Sequence, residues 1–214
     1  MSLILIFWIV AFVQDFSVEK RTKSAPFKEV FFNRAVQRIL LTTVCWILAH
    51  NLLYTYIAPI LKASNLSEKI DWMLLLFGIA SIMGIWLTGY LIDRYLKKMV
   101  IINLVLFCLA GLLMLLGTAH IAFIICGIAL WGYSFGGAPT LLQKDLADVA
   151  KEHVDIAQAI FVTVFNIAVA GGGLLGGALL EYSGISYLII GAILLSILSL
   201  SITANKRGNN YSAF

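Results

Sequence analysis

Six stretches of this chain run for at least twenty-one residues without an Asp, Glu, Lys or Arg: Ile39–Leu61, Trp72–Ile92, Met99–Ala119, Ile121–Gln143, Ile156–Leu180 and Tyr182–Asn205. No other feature of the sequence restricts its fold as strongly. At about 1.5 Å of rise per residue, each run covers roughly 30 Å as a helix, the thickness of the hydrocarbon layer of a bilayer. None alternates apolar with polar residues as a barrel strand must. With 61% hydrophobic and 12% charged residues and a mean hydropathy of +0.97, the chain is too apolar to fold as a water-soluble globule of 214 residues. The expected fold class is an all-α polytopic membrane protein, a six-helix bundle whose first partner is the lipid bilayer.

An earlier run, Met1–Gln14, holds fourteen uncharged residues, about 20 Å of helix and too short to span. It lacks the basic leader and the small-residue cleavage site of a signal peptide. It reads as the end of a helix whose beginning lies outside this chain, and the chain as a fragment. The expected layout is a partial transmembrane helix at 1–14, a basic linker at 15–38, the bundle at 39–205 and a tail at 206–214. In the linker, "PFKEVFFNRAVQRILL" fits either a disordered connection or an interfacial amphipathic helix with Phe27, Val30 and Phe31 toward lipid.

Basic residues set the orientation. Residues 14–38 carry Lys20, Arg21, Lys23, Lys28, Arg34 and Arg38; the link after Ile92 carries Arg94, Lys97 and Lys98; Lys144, Lys151, Lys206 and Arg207 complete the set. These segments alternate with others whose basic residues are Lys62 and Lys69, a split of thirteen against two. The thirteen are expected on the cytoplasmic side together with the C-terminus, in a plasma membrane that is the inner membrane of a bacterium. The net charge of +4 then reports topology, and no nucleic-acid partner is implied. Cys45, Cys108 and Cys126 all fall inside the runs, without metal-ligand spacing, and are expected as reduced, buried thiols.

The motifs of several enzyme classes are missing. There is no GxxxxGK[ST] loop for a nucleotide and no HExxH pattern for proteolysis. His50, His120 and His153 lie in three separate regions, which is weak ground for a metal. No enzyme activity, cofactor or metal is expected.

The link "GYLIDRYLKK", Gly89–Lys98, gathers four charges between two uncharged runs. Gly89 would let a neighbouring helix approach. Asp93 precedes the N-terminus of the next helix, where unpaired N–H groups and the macrodipole favour an anion. The stretch resembles the signature of the major facilitator superfamily, G-x-L-x-D-[RK]-x-G-[RK]-[RK]. Gly89, Leu91, Asp93, Arg94, Lys97 and Lys98 match, and Leu96 stands where that family has a second glycine. "WGYSFGGAPTLLQ" (131–143) and "VTVFNIAVAGGGLLGG" (162–177) are similar to the tenth and eleventh helices of its twelve-helix drug–proton antiporter branch, which includes sugar and purine exporters. "YTYIAPIL" (54–61) is similar to the end of the seventh. The resemblance covers residues 31–205 and implies the C-terminal half of such a transporter, with its N-terminal six-helix half missing. It also implies a gate held by the charged link, for which Asp145 is the candidate partner of Arg94; the other reading of the link is a plain positive-inside turn.

Small residues at four-residue spacing, Ala168, Gly172 and Gly176, with Gly173 and Gly177 beside them, suit close helix packing. Gly136, Gly137 and Pro139 should loosen their helix locally. Polar groups deep in a bilayer are costly unless they are paired or face an aqueous path, and transporters of this kind bind solutes near the midplane. His50, Asn51, Tyr54, Trp131, Tyr133 and Asn166 are therefore the candidate lining of a substrate path. For Asn51 and Tyr133 an interhelical hydrogen bond serves as well, and for Trp131 plain packing. His50 is the mid-run group able to titrate near neutral pH.

The resulting expectation is a secondary active transporter that exports a small organic solute in exchange for protons by alternating access. A transport-inactive fragment and a non-transporting membrane scaffold are the alternatives.

Overall fold

The computed structural model describes residues 27–117 and 120–205, together with Trp8 and Phe12. The rest of the partial helix expected at 1–14, the linker up to residue 26 and the tail at 206–214 lie outside the described residues. Among the described residues the regular structure is helical, with no strand. The helices are α1 (Phe27–Phe32), α2 (Arg34–Thr55), α3 (Ile57–Ala63), α4 (Ile70–Leu116), α5 (Ile121–Gly136), α6 (Ala138–Ala150), α7 (Val154–Tyr182) and α8 (Ile185–Ala204). The protein is an all-α polytopic membrane protein. Among the described residues, four helical stretches are long and apolar enough to cross a membrane: Arg34–Thr55, Ser67–Leu116, Ile121–Tyr182 and Ile185–Ala204. The second and third, of 50 and 62 residues, each hold two of the uncharged runs.

α4 shows how two runs share one stretch. Straight, its 47 residues would reach about 70 Å, more than twice the hydrocarbon thickness. A Cβ added at Gly132 of α5 would sit 3.1 Å from the Cα of Phe77, and one at Gly127 would sit 2.7 Å from Met114. Gly127 and Gly132 are only about 7.5 Å apart along α5, whereas Phe77 and Met114 would be roughly 55 Å apart on a straight rod. The chain therefore folds back on itself. Tyr95, at φ −130° and ψ 21°, is where α4 leaves helical geometry, and it divides a first arm (70–94) from a second (96–116). The charged link is thus helical on either side of one residue and is no open loop. The bend needs no left-handed residue, since positive φ among the described residues occurs at Asn65, Lys151 and Gly184. Leu96, standing where the resembled signature has glycine, instead packs its side chain against the core.

The second long stretch is broken twice. Gly137 interrupts it with Pro139 in the first turn of α6, the position where a missing N–H does no harm. Lys151, at φ 48°, then turns the chain, and Gln158 Nε2 donates to the Gln143 carbonyl at 3.2 Å, so α7 runs back along α6.

α2 stands at the centre and is the most enclosed of the four stretches. Asn33 caps its start, its Oδ1 accepting from the Ala35 and Val36 N–H groups at 2.9 and 3.3 Å. α8 lies antiparallel to it: Thr42 Oγ1 pairs with Thr203 Oγ1 at 3.3 Å, and Ser199 Oγ donates to the Thr42 carbonyl at 3.1 Å. α7 packs on another side, where Tyr56 donates its hydroxyl to the Gly173 carbonyl at 2.7 Å. After α3 the chain closes with a left-handed Asn65 (φ 57°), the Leu66 N–H bonding the Leu61 carbonyl and the Asn65 N–H that of Lys62. That is the Schellman pattern, with Leu66 buried beneath it.

Two expectations about burial change. Val30 in α1 is only 1% exposed and packs into the core with Phe31 beside it, while Phe27 and Phe32 are outward. An apolar patch of protein lay within reach of Val30, so it had no need of lipid. Of the three free cysteines, Cys45 is buried, Cys108 half-buried and Cys126 exposed. Cys126 precedes Gly127, the residue α5 turns toward Met114, and so it points away from the bundle.

Candidate functional site

The densest aromatic cluster is built from three elements. α2 contributes His50 and, one turn on, Tyr54; the first arm of α4 contributes Phe77; α5 contributes Trp131 and, one turn on, Phe135. Residues four apart share a helix face, so each of these pairs presents two rings on one side. His50 stacks on Phe135 with ring centroids 3.4 Å apart and planes within 4°. Tyr54 stacks on His50 at 5.4 Å, and Trp131 lies 4.5 Å from Phe77. Trp131 Nε1 donates to His50 Nδ1 at 3.2 Å. Exposure rises from 1% at Trp131 to 48% at Tyr54, so the cluster has a closed floor and an open rim. The runs that supply it contain no charged residue. Such a site can bind through ring faces and hydrogen bonds, with no formal charge of its own.

The candidate residues divide. His50, Tyr54 and Trp131 come together in this cluster. Asn51 does not join them: it is turned to α7, where a Cβ added at Gly172 would meet its own, and its amide donates to the Ile47 carbonyl at 2.9 Å. Tyr133 presents its backbone carbonyl to Gly84 of α4. Asn166 is exposed on α7 and spends its amide on the Val162 carbonyl at 2.8 Å. Both asparagines thus satisfy themselves within their own helix, as short polar side chains can.

Phe77 and Phe135 were missed because a polar group in an apolar run draws notice and a phenylalanine does not. Their ring contacts with His50 could not be read before α4 and α5 were placed beside α2. Trp46 was missed as well. It lies one turn before His50, edge-on to Phe135 with centroids 6.3 Å apart, and its buried Nε1–H has no acceptor among the described residues.

The small-residue strips have distinct surroundings. Gly172 and Gly176 face Leu48, Asn51, Leu52 and Tyr56 of the α2 region; a Cβ at Gly177 would sit 3.0 Å from the Tyr56 hydroxyl, and Gly173 has nothing within 4 Å. A second strip, Gly132 and Gly136 on α5, meets the backbone of Phe77 and Ser81.

At the charged bend, Arg94 and Lys98 lie over the Tyr95 ring, 5.4 and 5.6 Å from its centroid. Lys144 donates to Asp148 at 2.8 Å. That bond, and more weakly the charge of Asp93, push the Lys144 ammonium pKa up. Asp145 is buried, at 5% exposure. Gly89 has nothing within 4 Å of a Cβ, so the close approach expected there is made by no described residue.

The family model of the Major Facilitator Superfamily matches residues 1–148 and again 39–209. This chain belongs to the major facilitator superfamily. Among curated facilitators it is 30% identical over 153 residues to a protein of Helicobacter acinonychis (strain Sheeba) named "Probable sugar efflux transporter", covering 70% of this chain and 39% of that one. A protein of the same name from Helicobacter pylori (strain J99 / ATCC 700824) is 30% identical over 152 residues, with the same coverage. Another from Mannheimia succiniciproducens is 28% identical over 160 residues, 71% of this chain and 39% of the relative. The chain spans about 39% of the length of the curated relatives it matches. As a facilitator it is a membrane transporter family member and not an enzyme.

Proposed function

We propose that this chain is the C-terminal half of a secondary active transporter that exports a small, hydroxyl-rich organic solute, a sugar or polyol, in exchange for protons by alternating access. The observation that carries the reading is the uncharged aromatic cluster around His50, one helical turn from the open rim at Tyr54. Ring faces pack against the C–H faces of a sugar, while an imidazole and a phenol supply the few directed hydrogen bonds that fix its orientation. Charged solutes are disfavoured, because the surrounding runs offer no counter-ion. The names of the relatives favour the same solute class. Tyr54, His50 and Trp131 would line the path, with Phe77 and Phe135 as ring walls. Asn51, Tyr133 and Asn166 would act at its edge or in packing. The charged bend, Gly89, Asp93, Arg94, Lys97 and Lys98 with Asp145, would form a cytoplasmic lock, and the N-terminal six-helix half would be the partner that completes the cavity.

The test is solute flux in proteoliposomes under an imposed pH gradient, with this chain alone and with a matching N-terminal half supplied in trans. Proton-dependent glucose or mannitol flux with both halves present supports the reading. Flux by neither preparation, across neutral and charged solutes, favours a transport-inactive fragment or a membrane scaffold.

A further inference from the structure

The bond between Trp131 and His50 has a direction that can be assigned without locating a hydrogen. An indole nitrogen only donates, so at 3.2 Å the His50 Nδ1 must be the acceptor and carries no proton. A neutral imidazole then holds its single proton on Nε2. The ring is fixed by more than this bond, since it stacks on Phe135 at 3.4 Å and on Tyr54 at 5.4 Å. In many proteins a carboxylate or a backbone carbonyl takes the remaining imidazole N–H. Among the described residues no carboxylate is at hand: the elements packed against His50 bring Trp131, Phe135, Phe77 and Tyr54, the phenol of Tyr54 is the titratable group among them, and the runs they belong to hold no Asp, Glu, Lys or Arg. Among the described residues no hydrogen bond engages Nε2.

We infer that Trp131 is a positioning residue that locks His50 in the Nε2–H tautomer, so that His50 offers the solute a hydrogen-bond donor and selects for an acceptor oxygen in that place. This rests on the solute reading above and adds a specificity-determining role to it. A solute presenting only a donor at that point would leave two donors facing each other, and it would be rejected.

The tautomer is read directly by nitrogen-15 NMR of the full chain labelled at histidine and combined with an unlabelled matching N-terminal half, at pH 8, with the His50 signals assigned by their loss in His50→Gln. The expected result is a pure Nε2–H ring in the wild type and a mixture of tautomers in Trp131→Phe, which keeps the aromatic ring and drops the N–H. Glucose or mannitol should shift the wild-type Nε2 signal, and Trp131→Phe should weaken glucose affinity about tenfold, the size of one hydrogen bond. In a His50→Gln background, whose amide nitrogen donates whatever stands at 131, the same change should have little effect on affinity. An Nδ1–H ring in the wild type, or an unchanged ring in Trp131→Phe, overturns the lock. A polyol response with an unlocked ring overturns the role of Trp131 while leaving the solute reading standing. A locked ring that ignores glucose and mannitol overturns the donor role and the solute reading together.

Discussion

Two tryptophans on neighbouring helices meet opposite circumstances. The indole N–H of Trp131 reaches His50, while that of Trp46 is fully buried and has no acceptor among the described residues. An unsatisfied buried donor costs about 1–3 kcal/mol. Trp46→Phe removes that donor and keeps most of the ring surface, so thermal unfolding in detergent should show a stability unchanged or raised by about 1 kcal/mol. Trp131→Phe leaves the His50 Nδ1 without its donor and should lower stability by about 1 kcal/mol. If Trp46→Phe proves the more damaging of the two, its N–H has a partner, such as a buried water, and the account given for it is wrong. His50 drew attention in the sequence because a titratable group in the middle of an apolar run is expensive. The rings that hold it carry no such mark. Their role depends on which faces α4 and α5 turn inward, and that is decided by glycines contacting a backbone many residues away.

At the scale of the element, small residues do two different jobs that look alike in sequence. The spacing of Gly172 and Gly176 was legible as a packing strip. Gly132 and Gly136 have the same spacing, but in the sequence Gly136 reads with Gly137 and Pro139 as part of a bend and Gly132 carries no mark; their contacts with Phe77 and Ser81 make them a strip. A paired substitution separates necessary from incidental glycines. A Cβ at Gly176 would run into the Tyr56 ring, which its own bond to the Gly173 carbonyl holds in place. Gly176→Ala should therefore destabilise the bundle by about 1–3 kcal/mol, the usual cost of overpacking. Gly173→Ala meets open space and gains helix propensity, so it should be neutral or stabilising by up to about 1 kcal/mol. Equal unfolding midpoints for the two variants would remove the packing argument for this strip. The bend of α4 was legible as a break in hydrophobicity, yet its form was not. Charge density suggested a loop, and the backbone needs only Tyr95 to turn.

For the whole molecule, the fold class was carried by run length alone, since a bilayer leaves few other solutions for six uncharged stretches. The expected orientation rests on the thirteen-to-two division of basic residues. Single cysteines placed at Glu68 and at Lys97 in a background without Cys45, Cys108 and Cys126 should react with an impermeant maleimide from opposite sides of sealed vesicles. Labelling from one side would refute the expected topology. The proposed lock is tested by exchanging charges: Arg94→Asp with Asp145→Arg should recover transport lost in either single variant when the N-terminal half is present. A double variant no better than the singles would exclude that contact.

α2 leaves the ribosome first among the described spans, yet the hydroxyl that Thr42 meets belongs to Thr203, 161 residues later. At ordinary rates of synthesis that interval is roughly 8–30 s. During it, the least apolar of the four membrane-crossing stretches must reside in lipid, or at the edge of the insertion machinery, without α7 or α8. Two of its polar side chains are already provided for, because Thr43 donates to the Ile39 carbonyl at 2.8 Å and Asn51 to that of Ile47 at 2.9 Å, both within α2. These internal bonds make α2 a helix able to wait for its neighbours, and they set a requirement of biosynthesis beside those of the finished bundle.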